Sequence, residues 1–311
     1  MAGANLPAKK YSKKAPTTLR LSFTGTGNST QFIDIAMALS AINRKFMRQG
    51  VYYYVNSVEL YNNEDAFVDL HTLPDTWVTK NAWNRGFRMF QKMNAQVDTP
   101  RPKYHDFKVY MSDLHRTTGS MAPKLFDINS ASATVQTDEW QYSRFTSLDD
   151  DGDSTQDADN FFVHMLGNHV GSSSDWTSVG LIKSYGRSRP LPQSNEPVLP
   201  NIAGDGHEDD PINNLFDASS EDALNEIADI LDVDNDTVPY DADAYVGQSS
   251  NNMHHVARLA TSLSSGRVAK ASGFCAPFGL ICVDPQDTAT SYRVVLNLAQ
   301  GTYHGVYAER A

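Results

Sequence analysis

The sequence predicts an all-β fold: a β-sandwich with helices inserted in the connections between strands. Three observations carry that expectation. Short runs rich in β-branched and aromatic residues recur along the chain, from Leu19, Leu21 and Phe23 to residues 302–307. Polar or Gly/Pro-containing stretches separate them. Helical periodicity is confined to a few segments and does not alternate regularly with strands, as a βαβ repeat would require.

Leu19, Leu21 and Phe23 alternate as a short strand, and Gly25-Thr26-Gly27-Asn28 turns the chain. No further glycine or lysine follows at the spacing a phosphate loop needs. Phe32, Ile35, Leu39, Ile42 and Phe46 step by three and four, which predicts an amphipathic helix over 32–48 closed by Arg48-Gln49-Gly50. The most regular stretch is 51–93. Tyr52, Tyr53, Tyr54, Val55, Val58, Leu60 and Tyr61 read as a strand, Asn62-Asn63-Glu64-Asp65 as a polar turn, and Phe67, Val68 and Leu70 as a second strand, so a hairpin is expected. Asp75 or Thr76 then suits an N-cap, and Trp83, Phe87, Phe90 and Met93 predict a helix over 77–94. Its other face carries Arg85, Arg88 and Lys92, a basic stripe read as a solvated face with an anion contact as the alternative.

Strands are expected at 104–111, 140–145 and 160–166, the last two joined by a loop containing Asp149-Asp150-Asp151-Gly152-Asp153. Placing Gly152 at the sixth position of a calcium loop puts Ser147 and Ala158 where carboxylates belong, so this is no EF-hand. A strand at 176–185 precedes a connector marked by Arg187, Arg189, Pro190, Pro192, Pro197 and Pro200. Leu215, Phe216, Leu224, Ile227, Ala228 and Leu231 fit a short helix. Val256, Leu259, Ala260 and Leu263 suggest another over 254–263. Strands at 271–283, 291–298 and 302–307 complete nine or ten. A jelly roll is the specific expectation, with the helices 32–48 and 77–94 covering a sheet end or edge.

The formal net charge of −11 is unevenly placed. Fifteen acids and no Lys or Arg lie between Pro190 and Ala257, which leaves 26 basic residues against 22 acids elsewhere, a balance of +4. Residues 1–20 contain Lys9, Lys10, Lys13, Lys14 and Arg20 with no acid and no periodicity. They read as a basic flexible arm, either a charge tether to polyanion or a solubilising tail. Residues 21–311 are expected to form one shell-like domain with an acidic insertion at about 190–257.

Catalytic signatures are missing. The sequence contains no GxSxG elbow, HExxH pair or Walker lysine, so no enzyme and no cofactor is expected. Cys275 and Cys282 are seven apart in apolar sequence, which suits buried thiols rather than a metal knuckle. His164, His169, His254 and His255 read as structural; adjacent residues on a strand point to opposite faces and do not converge on one metal. With no disulfide framework and no apolar N-terminal h-region, an intracellular origin is expected. No run reaches the length of a membrane span, so no membrane partner is expected.

The runs IAMALSAINRKFMRQGVYYYVNSVEL, LPDTWVTKNAWNRGFRMFQKM, WQYSRF, FFVHMLGNH and DNDTVPYDADAYVG resemble the capsid proteins of small circular single-stranded DNA viruses known mainly from marine and environmental genomes. The likeness spans roughly residues 30 to 250. It implies a jelly-roll coat protein without catalytic activity, assembling with copies of itself into an icosahedral shell around single-stranded DNA. The protein would then be part of a virion put together inside the host cell. Genome binding would be non-specific, through Lys9, Lys10, Lys13, Lys14 and Arg20, and any host receptor is unknown. The short lysine arm departs from the long Arg-rich arm of many relatives. The alternatives from the residues themselves are a β-sandwich binding module for carbohydrate or a receptor ligand, and a hydrolase with dispersed carboxylates.

Overall fold

Leu21 and Phe23 are buried while Arg20, Thr24 and Thr26 are exposed, the alternation of a strand with one wet face. That strand, β1 (Arg20–Thr26), opens a computed structural model that describes residues 17–95, 104–126, 132–146, 160–172, 175–187, 245–264, 266–286 and 291–310. There follow β2 (Gln31–Asp34), α1 (Ile35–Asn43), β3 (Val51–Tyr61), β4 (Ala66–Thr72) and α2 (Trp77–Asn94). Next come β5 (Tyr110–Ser112), α3 (Asp113–Thr118), β6 (Lys124–Phe126), β7 (Ser132–Thr134), β8 (Arg144–Thr146), β9 (Asn160–Leu166), β10 (Val170–Ser172), β11 (Asp175–Gly180) and α4 (Leu181–Arg187). The chain ends with β12 (His254–Thr261), β13 (Val268–Ala276), β14 (Leu280–Gln286), β15 (Ser291–Leu298), β16 (Gln300–Tyr303) and β17 (Ala308–Arg310).

The fold is mostly β. Two antiparallel four-stranded sheets form its centre, ordered β1-β15-β3-β13 and β12-β4-β14-β2, with β17 added to the start of β3. Their inner faces share one core. Phe23, Val58, Leu60, Val294 and Leu296 come from the first sheet, and Ile33, Val68, Leu70, Leu259, Ile281 and Val283 from the second. Successive core strands change sheet at almost every step, so the links Asn62–Asp65 and Pro277–Gly279 carry the chain over the core edge.

A third sheet, β10-β11-β9-β5 with β8 on β9, differs in kind because β5 and β11 run parallel to β9. With α2 and α4 it builds a second core on the outer face of the second sheet, where Phe32, Leu280 and Cys282 meet Val78, Trp83, Phe90, Phe107, Val163 and Ile182. The outer face of the second sheet is thus covered where β2 and the start of β14 meet this core, while Arg258, Ala260 and Gln286 stay exposed farther along it. On the outer face of the first sheet Arg20, Thr24, Val268 and Lys270 stay exposed.

Several expectations are corrected. β3 and β4 are no hairpin: each hydrogen-bonds to strands from the end of the chain, in opposite sheets, because both must turn apolar residues onto one core. The predicted helix over 32–48 shrinks to Ile35–Asn43. Phe32 and Ile33 pair with Cys282 and Ile281, and Asp34 is the N-cap, accepting from Met37 N at 3.0 Å. The helix stops where Arg44 turns to φ 50°, before the Arg48-Gln49-Gly50 signal. Residues 254–261 are strand, not helix, held along β4 at a sheet edge. The single strand expected over 271–283 is two, broken by Pro277–Gly279. Residues 176–185 divide into β11 and α4, and of 104–111 and 140–145 only the ends are strand. α2 stands as expected, capped by Thr76, whose hydroxyl accepts from Thr79 N at 3.2 Å. The acidic loop around Asp149, the connector and most of the acidic window lie outside the described residues.

Candidate nucleic-acid interface

Of the five arm residues, Lys9, Lys10, Lys13 and Lys14 lie outside the described residues and Arg20 is the first residue of β1. Strand register fixes its neighbours. On the outer face of the first sheet, Arg20, Asn297, Ser57 and Ser272 form one row across the strands, and Ser22, Val295, Glu59 and Lys270 a second. Thr24, Arg293, Tyr61 and Val268 form a third. The three rows hold three cations, one carboxylate and mostly hydroxyl and amide groups, so this face is hydrated, weakly positive and rich in donors.

Glu59 is the hub of the face. Tyr61 Oη donates to it at 3.0 Å, Arg20 lies at 3.1 Å, Asn297 Nδ2 donates at 3.3 Å and Lys270 Nζ lies at 3.6 Å. The Tyr61 hydrogen bond, then the two cations, hold its carboxyl below the usual range against the effect of burial. The Arg293 guanidinium lies 4.8 Å from the centre of the Tyr61 ring, a stacked arrangement that orients the cation. Arg267, just before β13, is exposed and forms no ion pair among the described residues. The stripe on α2 is separate: Arg85, Arg88 and Lys92 are all exposed there.

A buried polar network lies behind α1. Asp34, wholly buried, accepts from Met37 N, Gln49 Nε2, Trp140 Nε1 and Tyr142 Oη at 3.0 to 3.1 Å. Burial pushes its carboxyl up to about 6 against those four donors. Behind Tyr142, His115 Nδ1 accepts from Met111 N at 3.0 Å, so its Nε2 proton faces Ser120 Oγ at 2.6 Å, and Ser120 faces Tyr142 at 2.6 Å. Every hydroxyl in this chain is thereby oriented toward the carboxylate. Burial pulls the His115 imidazole down to about 3, which keeps it neutral. Lys108, also buried, places its ammonium 4.4 Å from the centre of the Trp140 ring, and burial lowers it to about 8.

The remaining candidates are structural in their surroundings. His164 is buried between Ser178 Oγ at 2.6 Å and Asn168 O at 3.0 Å, and His169 accepts from Gly180 N at 3.1 Å. His254 and His255 do lie on a strand, where His255 Nε2 reaches Asp69 at 3.3 Å. Among the described residues no three His, Cys, Asp or Glu groups gather to hold a metal ion, and no helix is long and apolar enough to cross a membrane. Both cysteines are free; burial pushes Cys275 up to about 11 and Cys282 up to about 12. A thiol reagent at neutral pH is therefore expected to label both slowly until the protein is unfolded by denaturant. Rapid labelling of Cys282 in the native protein would contradict this packing.

No family model, curated protein or solved structure matches the chain. Its chemistry is read from its own geometry. Sequence reasoning singled out Arg20 but missed Arg267 and Lys270, just before and within β13, and Arg293 in β15, which come together with Arg20 only because both strands pair with β3 and β15 pairs with β1. The one signal available was a charged residue at a wet position of each apolar strand, Lys270 in β13 and Arg293 in β15.

Proposed function

We propose that this protein is a jelly-roll coat protein that assembles with copies of itself into a closed shell around single-stranded nucleic acid. The observation that carries the reading is the strand pairing: β1 with β15, β2 with β14, β3 with β13 and β4 with β12. A long antiparallel ribbon of two four-strand halves, folded over so that successive pairs alternate between sheets, gives this order, and jelly rolls are built so. Jelly rolls serve as capsid and lectin domains alike, and two features favour the shell. A lysine arm leads directly into β1, at the edge of a weakly positive sheet face. The insertions between β4 and β12 add further surfaces to a sandwich that already has several, and heterologous contacts between identical subunits close into rings and shells.

Sedimentation and negative-stain imaging of purified protein across salt and pH test this. Closed particles or multi-subunit rings are expected, with nucleic acid in the particles seen as a raised 260-to-280 nm absorbance ratio. A species that stays at the chain mass of 34.4 kDa at high concentration in every condition would sink the shell and favour a binding module.

A further inference from the structure

At one end of the first sheet, beside the turn that links β3 to β4, lies a groove of about 340 Å³. Thr24, Tyr61, Asn62, Arg267, Ser291 and Arg293 line it, and no carboxylate does among the described residues. Two guanidiniums on one small groove make an anion site by charge, and the hydroxyls of Thr24 and Ser291 add neutral donors. Arg293 is braced on Tyr61, so its fork is already oriented. A second observation is independent of charge. Asn62, 3% exposed, has its side-chain nitrogen buried without an acceptor, although it lines the same groove. Buried donors are nearly always paired, and an unpaired one beside two cations calls for an acceptor-rich ligand. Asp65, at the far end of the turn, is engaged elsewhere, since its Oδ1 accepts from Leu263 N at 2.6 Å.

We propose that this groove binds the phosphodiester backbone of a single-stranded nucleic acid, with Arg267 and Arg293 each contacting a phosphate oxygen. It is a second contact, distinct from the lysine arm, and it rests on the shell reading for the strand it meets. The outer sheet face continues from the groove toward Arg20, where the arm begins, so one strand can run from groove to arm. Contacts to phosphates position the strand and read no sequence.

The test is fluorescence anisotropy of a labelled oligothymidylate with the full chain across a salt series. Neutralising both groups, Arg267→Gln with Arg293→Gln, removes two phosphate contacts. The slope of log affinity against log salt is then expected to fall by about 1.4, and affinity at about 0.1 M salt by roughly tenfold or more. Arg267→Gln alone, at an exposed position, is expected to lower the slope by about 0.7, and it keeps the test open if the double variant folds poorly. Millimolar orthophosphate at matched ionic strength should leave the oligonucleotide bound; full displacement would assign the groove to the free ion and overturn the proposal. An unchanged slope in both variants, or no binding by the wild-type protein, would overturn it too. Particle formation by the same samples separates the two ideas. Intact particles with an unchanged slope refute the groove alone, whereas a lost slope in a protein that never assembles supports the groove and refutes the shell.

Discussion

Asp34→Ala is expected to destabilise the protein by about 3 to 5 kcal/mol, since it leaves the buried donors of Gln49, Trp140 and Tyr142 without their acceptor and removes the N-cap of α1. Denaturant unfolding measures the loss, and a change below about 1 kcal/mol would show that the network is not held by this carboxylate. The pH dependence carries a definite sign. The folded-state value, about 6, lies above the ordinary 3.8, so the folded protein binds this proton more tightly than the unfolded chain. The resulting stability is fully present below about pH 4 and is lost as pH rises through about 6, a change on the order of 3 kcal/mol. Asp34→Asn does not titrate. The unfolding free energy of wild type minus that of Asp34→Asn should therefore decrease between about pH 4 and pH 7, and a flat difference would refute the raised value.

Trp83→Ala should cost about 3 to 5 kcal/mol, comparable in size but different in origin. The indole stacks on Phe87 at 5.1 Å and on Phe278 at 5.4 Å, and lies 5.4 Å from Phe107. It therefore joins α2 to the link between β13 and β14 and to the segment before β5. Gly50 is fitted beneath the ring: a Cβ there would come within 2.2 Å of it. The indole nitrogen has no hydrogen-bond partner among the described residues, so Trp83→Phe should cost far less, about 1 kcal/mol. Thermal and urea unfolding of the two variants give the comparison. Equal losses would mean that the ring is not what holds α2 on the sheet.

What the sequence made legible follows from how far each decision reaches along the chain. α2 was readable to its cap because Thr76 and the steps from Trp83 to Met93 are local. β3, β9 and β15 were readable because their dense β-branched and aromatic residues suit no other state. β12 was not: Val256, Leu259, Ala260 and Leu263 also fit a helix, and pairing with β4, nearly two hundred residues earlier, decided the matter. The supposed hairpin failed for a similar reason, since a polar turn between apolar strands looks alike whether the strands pair or diverge to opposite sheets. Within the candidate site, Arg20 stood out beside the lysines, whereas the grouping of Arg267 with Arg293 depends on two strands meeting through β3. The wholly buried carboxylate of Asp34 was invisible, because three of its four donors, on Gln49, Trp140 and Tyr142, lie well away from it along the chain.

The ribbon pairing also governs how the chain must be made. No two of the first four core strands are hydrogen-bonded to each other; each waits for a partner that begins at His254 or later. Between the end of β4 and the start of β12 a ribosome adds about 180 residues, on the order of 10 to 40 seconds of synthesis, with four apolar strands lacking their sheet partners. Closure over such distances is slow. Neither central sheet can close on a nascent chain before its last strands emerge, so any surface that those sheets present is withheld until translation is nearly done.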